Sequence, residues 1–92
     1  MNAMTAFKIK IVTPQRVEFE GDVTQVTART SEGNVGIRAN HAPYVARLAD
    51  NGNVELKFES SPSRKAKVSG GMINVGSKET VILLSSFSWI EE

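Results

Sequence analysis

Apolar and polar residues alternate along this chain with a period of two, and turn chemistry interrupts the alternation about every 8–12 residues. Phe7, Ile9 and Ile11 alternate with Lys8 and Lys10, which predicts a strand with one buried and one wet face. Thr13-Pro14-Gln15 ends it, because proline has no N–H to give to a ladder. Val17 and Phe19 share a face of the next strand, and Gly21-Asp22 predicts a turn. Val23 to Thr30 is threonine-rich and β-prone, and its apolar set shifts phase from Val23 to Val26 and Ala28, which predicts a bulge. Ser31-Glu32-Gly33-Asn34 reads as a tight turn before a short strand from Val35 to Arg38. Asn40-His41-Ala42-Pro43 is irregular, and Tyr44 to Leu48 is short and extended.

Asp50-Asn51-Gly52-Asn53 is the strongest hairpin signal in the chain. Val54, Leu56 and Phe58 alternate after it, and Ser61-Pro62-Ser63 turns again. Arg64 to Ser69 leads into Gly70-Gly71, a pair that predicts a bulge or a close approach of two backbones. Met72 to Val75 and Thr80 to Ser85 are the last clear strands, and Phe87, Trp89 and Ile90 cap the core or a partner surface. No segment carries three helical turns of apolar residues at helical spacing. Eight to ten short strands without a helix make an all-β sandwich or flattened barrel, occupying residues 1–92 as a single domain.

Composition narrows the function classes. Eleven basic and ten acidic residues leave a formal net charge of +1, too little to collect a nucleic-acid backbone. There is no cysteine, which removes disulfides, thiolate metal sites and a cysteine nucleophile. The run Val81-Ile82-Leu83-Leu84 is far short of the ~20 residues needed to span a bilayer, so a membrane connection must run through a partner. His41 is the single histidine; without a Gly-x-Ser-x-Gly elbow or clustered acids it reads as a loop histidine bonded to local backbone. Gly70-Gly71 lacks the spacing of a phosphate loop and no helix follows it. Arg64-Lys65-x-Lys67 reads as a solvated edge that discourages strand pairing. No catalytic, cofactor or metal residue is expected.

Five short motifs stand in a fixed order: Thr13-Pro14, Phe19-x-Gly21-x-Val23, Glu32-Gly33-x-x-Gly36, His41-Ala42-Pro43 and Val68-Ser69-Gly70-Gly71. Together they resemble the N-terminal domain of the bacterial ATP synthase epsilon subunit, over about residues 5–86. The resemblance implies a ten-stranded β-sandwich on the central rotor, present as one copy, beside the gamma subunit and against the c-ring of the membrane sector. It implies a non-catalytic part that passes ring rotation to gamma, peripheral to the cytoplasmic face of the inner membrane. Carried over by position, Ser31, Glu32, Gly33 and Asn34 are expected to meet the c-ring, and His41 and Pro43 to face gamma. An apolar patch on one sheet face should mark the bridge between gamma and the c-ring.

The chain departs from the family pattern in three places. Asn34 stands where an acidic residue is common, and Arg38-Ala39-Asn40 precedes the histidine where the family often has a proline-glycine stretch. After Leu84 the usual acidic, alanine-rich continuation is replaced by Ser85-Ser86-Phe87-Ser88-Trp89-Ile90. Most members continue into a two-helix domain that inhibits ATP hydrolysis; this sequence ends at Glu92, and on its own it is expected not to block hydrolysis. The alternative is a stand-alone binding sandwich, which would line exposed aromatics along one face; only Tyr44 and Trp89 are candidates. A small enzyme would need convergent titratable groups in a pocket.

Overall fold

A computed structural model describes residues 5–90 and contains eight strands: β1 (Phe7–Val12), β2 (Val17–Val23), β3 (Gln25–Thr30), β4 (Gly33–Ile37), β5 (Tyr44–Leu48), β6 (Gly52–Lys57), β7 (Arg64–Val75) and β8 (Glu79–Ile90). There is no helix among the described residues. The strands form one sheet that folds over on itself. β7 and β8, twelve residues each, are an antiparallel hairpin and carry the fold-over. Their halves nearest the turn join β5, β1 and β2 in one layer; their distal halves join β6, β3 and β4 in the other. Ten strands were expected and eight are found, because β7 and β8 are each continuous through both layers; counting their halves separately gives ten.

The bend is written in glycine. Gly70 has a φ of 62°, and its carbonyl accepts a hydrogen bond from Ser85 Oγ at 2.9 Å. A Cβ on Gly71 would lie 1.8 Å from the Leu83 carbonyl oxygen, so only glycine lets the two long strands approach there. This bears out the expected close approach. The sequence Asp50-Asn51-Gly52-Asn53, by contrast, makes no hairpin. β5 and β6 run end to end along β7 in the same direction, with Leu48 opposite Gly71 and Gly52 opposite Val68. Residues 49–51 thus face only Ser69 and Gly70, a one-residue bulge at the corner of the sandwich, with Asn51 at a φ of 57°. Turn chemistry is used here to bend a strand.

Other expectations change for related reasons. Gly21-Asp22 is no turn: both residues lie inside β2, opposite Ile9 and Lys8, and the ring of Phe19 lies over the bare face of Gly21. The phase shift after Val23 is a change of layer at Thr24, not a bulge, and Thr24 is held to the Lys57 carbonyl by its N–H at 2.7 Å. The Ser31–Asn34 turn is confined to Ser31-Glu32, because Gly33 and Asn34 already pair with Thr30 and Arg29. Arg64-Lys65-x-Lys67 lies on β7, which is paired on both sides, so the cluster guards no edge. The final strand continues to Ile90, with Phe87 and Trp89 turned inward.

Between the layers lies a core of Ile9, Ile11, Val23, Val26, Ala28, Ile37, Leu48, Val54, Leu56, Ala66, Val68, Ile73, Val75, Ile82 and Leu84. Four buried threonines border it, and Thr13 donates to the Glu18 carboxylate at 2.8 Å. At one end Trp89 closes the core, meeting Phe19 and Phe87 edge-on at centroid separations of 6.0 and 4.9 Å, with Arg64 stacked 3.6 Å over its ring.

Candidate functional site

Period-two alternation should leave the outer face of each layer polar. The first layer violates it. Val17 pairs with Val12, Val12 with Leu83, Leu83 with Met72 and Met72 with Arg47, so one row crosses five strands from β2 to β5. All five side chains are on the face opposite the core, and four of the five are apolar. Leu83 is 51% exposed, and Met72 and Val17 are each 46% exposed. The adjacent row is Glu20, Lys10, Val81, Asn74 and Val45, with Val45 57% exposed. A contiguous exposed apolar strip on a small domain marks a surface that meets another molecule.

The second layer's outer face is of another kind. Arg38, Arg29, Lys57, Lys65 and Lys67 point outward there beside a single carboxylate, Glu55. On the first layer the outward charges cancel, with Lys8, Lys10 and Arg47 against Glu20, Asp22 and Glu79. The near-zero charge of the whole chain therefore conceals one neutral, apolar face and one basic face.

The residues expected from sequence flank the apolar face without meeting each other. Ser31, Glu32, Gly33 and Asn34 are all exposed at one end of β5. Their loop is rigid for its size. Thr30 Oγ1 accepts from the Glu32 N–H at 3.1 Å and donates to the Gly33 carbonyl at 2.8 Å, while the Ser31 N–H reaches the Arg47 carbonyl at 3.0 Å. Gly33 has a φ of 121°, a conformation closed to other residues without strain. Ser31, Arg47, Gly71 and Met72 border one shallow groove, which joins this loop to the apolar strip.

His41 and Pro43 stand at the opposite end of β5, just before Tyr44. His41 Nδ1 lies 2.7 Å from the Ala42 carbonyl and its N–H bonds the Arg38 carbonyl at 3.2 Å, as a loop histidine was expected to do. Its ring packs edge-on against Tyr44 at 5.9 Å. Asn40, at a φ of 67°, sets the corner. Tyr44 and Trp89 do not line a common face: Tyr44 pairs with Val75 and Trp89 with Ala66, at opposite ends of β7.

Residues 6–90 match the ATP synthase, Delta/Epsilon chain, beta-sandwich domain family. The chain belongs to that family. An ATP synthase epsilon chain from Ruminococcus albus is 40% identical over 91 residues, covering 97% of this chain and 66% of the relative. The chain thus spans just under two thirds of that relative's length. In the OSCP/F1/c-ring assembly of Euglena gracilis mitochondrial ATP synthase, one chain superposes with a TM-score of 0.87 at 23% identity, covering 100% of this chain and 58% of that one. A chain of the central stalk and c-ring of Tetrahymena thermophila mitochondrial ATP synthase gives a TM-score of 0.76 at 16% identity, covering 94% and 68%. The Delta/Epsilon sandwich fold is therefore shared across wide sequence distance.

The sequence led us to expect an apolar patch on one sheet face, but it did not name the residues of this row. A signal was present: in Val81-Ile82-Leu83-Leu84 the alternation lapses, so a strand built from it must show apolar groups on both faces. Its companions Val12, Val17 and Met72 lie in three separate strands and become neighbours only through the ladder register.

Proposed function

We propose that this chain is a non-catalytic rotor-stalk subunit of an F-type ATP synthase, which holds the gamma subunit through the outer face of its first layer. Membership of the Delta/Epsilon family supports the assembly. The observation that carries the gamma contact is the exposed row Val17, Val12, Leu83 and Met72. A flat apolar strip with balanced charges around it suits a lasting contact that buries on the order of 1,200–2,000 Å² in total.

On this reading, the turn Ser31–Asn34 at one end of β5 meets the c-ring, and His41 and Pro43 at the other end extend the gamma contact. The bend at Gly70-Gly71 and the two-layer ladder make the domain stiff, so torque applied at the loop reaches the apolar face with little loss. The chain acts on the membrane side through these partners, peripheral to the cytoplasmic face of the energy-coupling membrane. No helix among the described residues is long and apolar enough to cross a membrane.

Calorimetric titration of the chain into the gamma subunit of the same host tests the reading. We expect one-to-one binding with a negative heat-capacity change, because apolar surface is buried. Leu83→Glu should weaken it at least about a hundredfold, the cost of desolvating a carboxylate at the centre of an apolar contact. Folded gamma that ignores the wild-type chain would overturn it.

A further inference from the structure

Methionine is an apolar side chain whose polarity an oxidant can reverse, because its thioether sulfur takes up an oxygen atom. Cores use it to fill irregular gaps. Among the described residues it occurs once, and not in the core: Met72 lies on the outer face of β7 and is 46% exposed. The ladder sets it inside the apolar row, between Leu83 on β8 and Arg47 on β5. The other apolar members of that row and of the row beside it are Val17, Val12, Leu83, Val81 and Val45. All of these are hydrocarbon and inert to mild oxidants. One sulfur is therefore the chemically variable atom of the strip. Oxidation follows access, and the other oxidisable groups lie elsewhere: Trp89 is opposite Ala66 in the distal half of β7, and there is no cysteine.

We propose that Met72 is a reversible oxidation switch on the docking face, and that its sulfoxide releases the chain from gamma. The inference rests on the reading of the first layer's outer face as the gamma contact. The oxidant is a hydroperoxide: its distal oxygen passes to the sulfur, the O–O bond breaks, the sulfur loses two electrons, and the peroxide leaves as an alcohol or water. Two thiols reverse the step, becoming a disulfide while the oxygen leaves as water. The sulfoxide puts a strong hydrogen-bond acceptor among side chains that offer no donor, and a buried polar group without a partner opposes contact. Its one cross-strand donor is Arg47, directly opposite on β5 and about 4.5–5.5 Å away between Cβ atoms. Taking that bond draws a cation over the strip, which also disfavours an apolar partner. The core is untouched, because Met72 is not part of it. The switch therefore acts on docking and leaves the fold intact. It also acts in one direction of assembly: a free chain exposes the sulfur, and a docked chain covers it.

Treatment of the whole chain with hydrogen peroxide, followed by titration into gamma, tests the proposal. Peptide mass spectrometry should find one added oxygen at Met72, and circular dichroism should be unchanged. We expect the Kd for gamma to rise about tenfold or more, and to return after incubation with a methionine sulfoxide reductase and a dithiol. The sequence also holds Met1 and Met4, so Met72→Leu supplies the control. Whatever its starting affinity, that variant should bind gamma equally well before and after peroxide. In the preformed complex Met72 should oxidise more slowly than in the free chain. An oxidised wild-type chain that binds as tightly as the reduced one overturns the switch while leaving the gamma contact standing. A loss of binding that persists in peroxide-treated Met72→Leu also overturns it, since the sensitive atom would then lie elsewhere. Reduced wild-type chain that fails to bind folded gamma overturns the docking reading, and the switch with it.

Discussion

Gly71 is the residue on which the two-layer form depends most directly. An added Cβ there meets the backbone of Leu83, at 1.8 Å from its oxygen and 2.8 Å from its carbon, and backbone cannot swing aside as a side-chain tip can. Gly70 beside it is less demanding: the obstacle is Ser85 Oγ at 2.7 Å, a small rotor, though the φ of 62° adds its own cost. We therefore expect Gly71→Ala to lose about 3 kcal/mol or more, at the upper end of overpacking penalties. Gly70→Ala should lose about 1–2 kcal/mol, the αL penalty. Urea unfolding followed by tryptophan fluorescence measures both. Equal losses at the two positions would mean that strand approach is not what Gly71 serves.

At the scale of elements, the residue pattern fixed strand existence better than strand partners. The alternation in Phe7–Ile11 and Val54–Phe58 located β1 and β6 because each has one buried face, and alternation reports a face. Which strand pairs with which is a property of register, and local chemistry misled there. Asp50-Asn51-Gly52-Asn53 has hairpin composition, yet it bends a strand that runs on along β7, because positive φ serves a corner bulge as well as a turn. Gly21-Asp22 has turn composition and is interior strand, because Phe19 lies over the glycine. The same limit hid which residues form the apolar row, while the loop at Ser31–Asn34 and the corner at His41–Pro43 were legible as short, local departures from alternation. Trp89 was legible as a lid, but its seat was not: Phe19 comes from β2 and Arg64 from β7. Trp89→Ala should cost about 2–3 kcal/mol, below a fully buried tryptophan because the side chain is only partly buried. Arg64→Ala should cost about 0.5–1 kcal/mol as an exposed cation–π partner. Thermal unfolding of the two variants should keep that order; an arginine loss as large as the tryptophan loss would mean that the stack, not the packing, closes this end.

The whole molecule separates two kinds of surface that its net charge of +1 averages together. A partner held by the first layer meets an apolar strip with compensated charges, whereas a partner held by the second meets five cations around Glu55. These alternatives differ in how they respond to salt. Apolar contact is nearly indifferent to ionic strength, while a contact carried by exposed cations weakens as the Debye length shrinks from about 10 Å at 0.1 M toward about 3 Å at 1 M. If gamma docks on the first layer, its affinity should change less than about threefold between 0.1 and 0.5 M salt. The pair Lys65→Gln and Lys67→Gln should then leave affinity within about twofold, since charges outside a contact act only through a screened field. Both can be read in one series of titrations beside Leu83→Glu. Steep salt dependence, with the lysine pair more damaging than Leu83→Glu, would move the docking surface to the basic face and leave the apolar row without its partner.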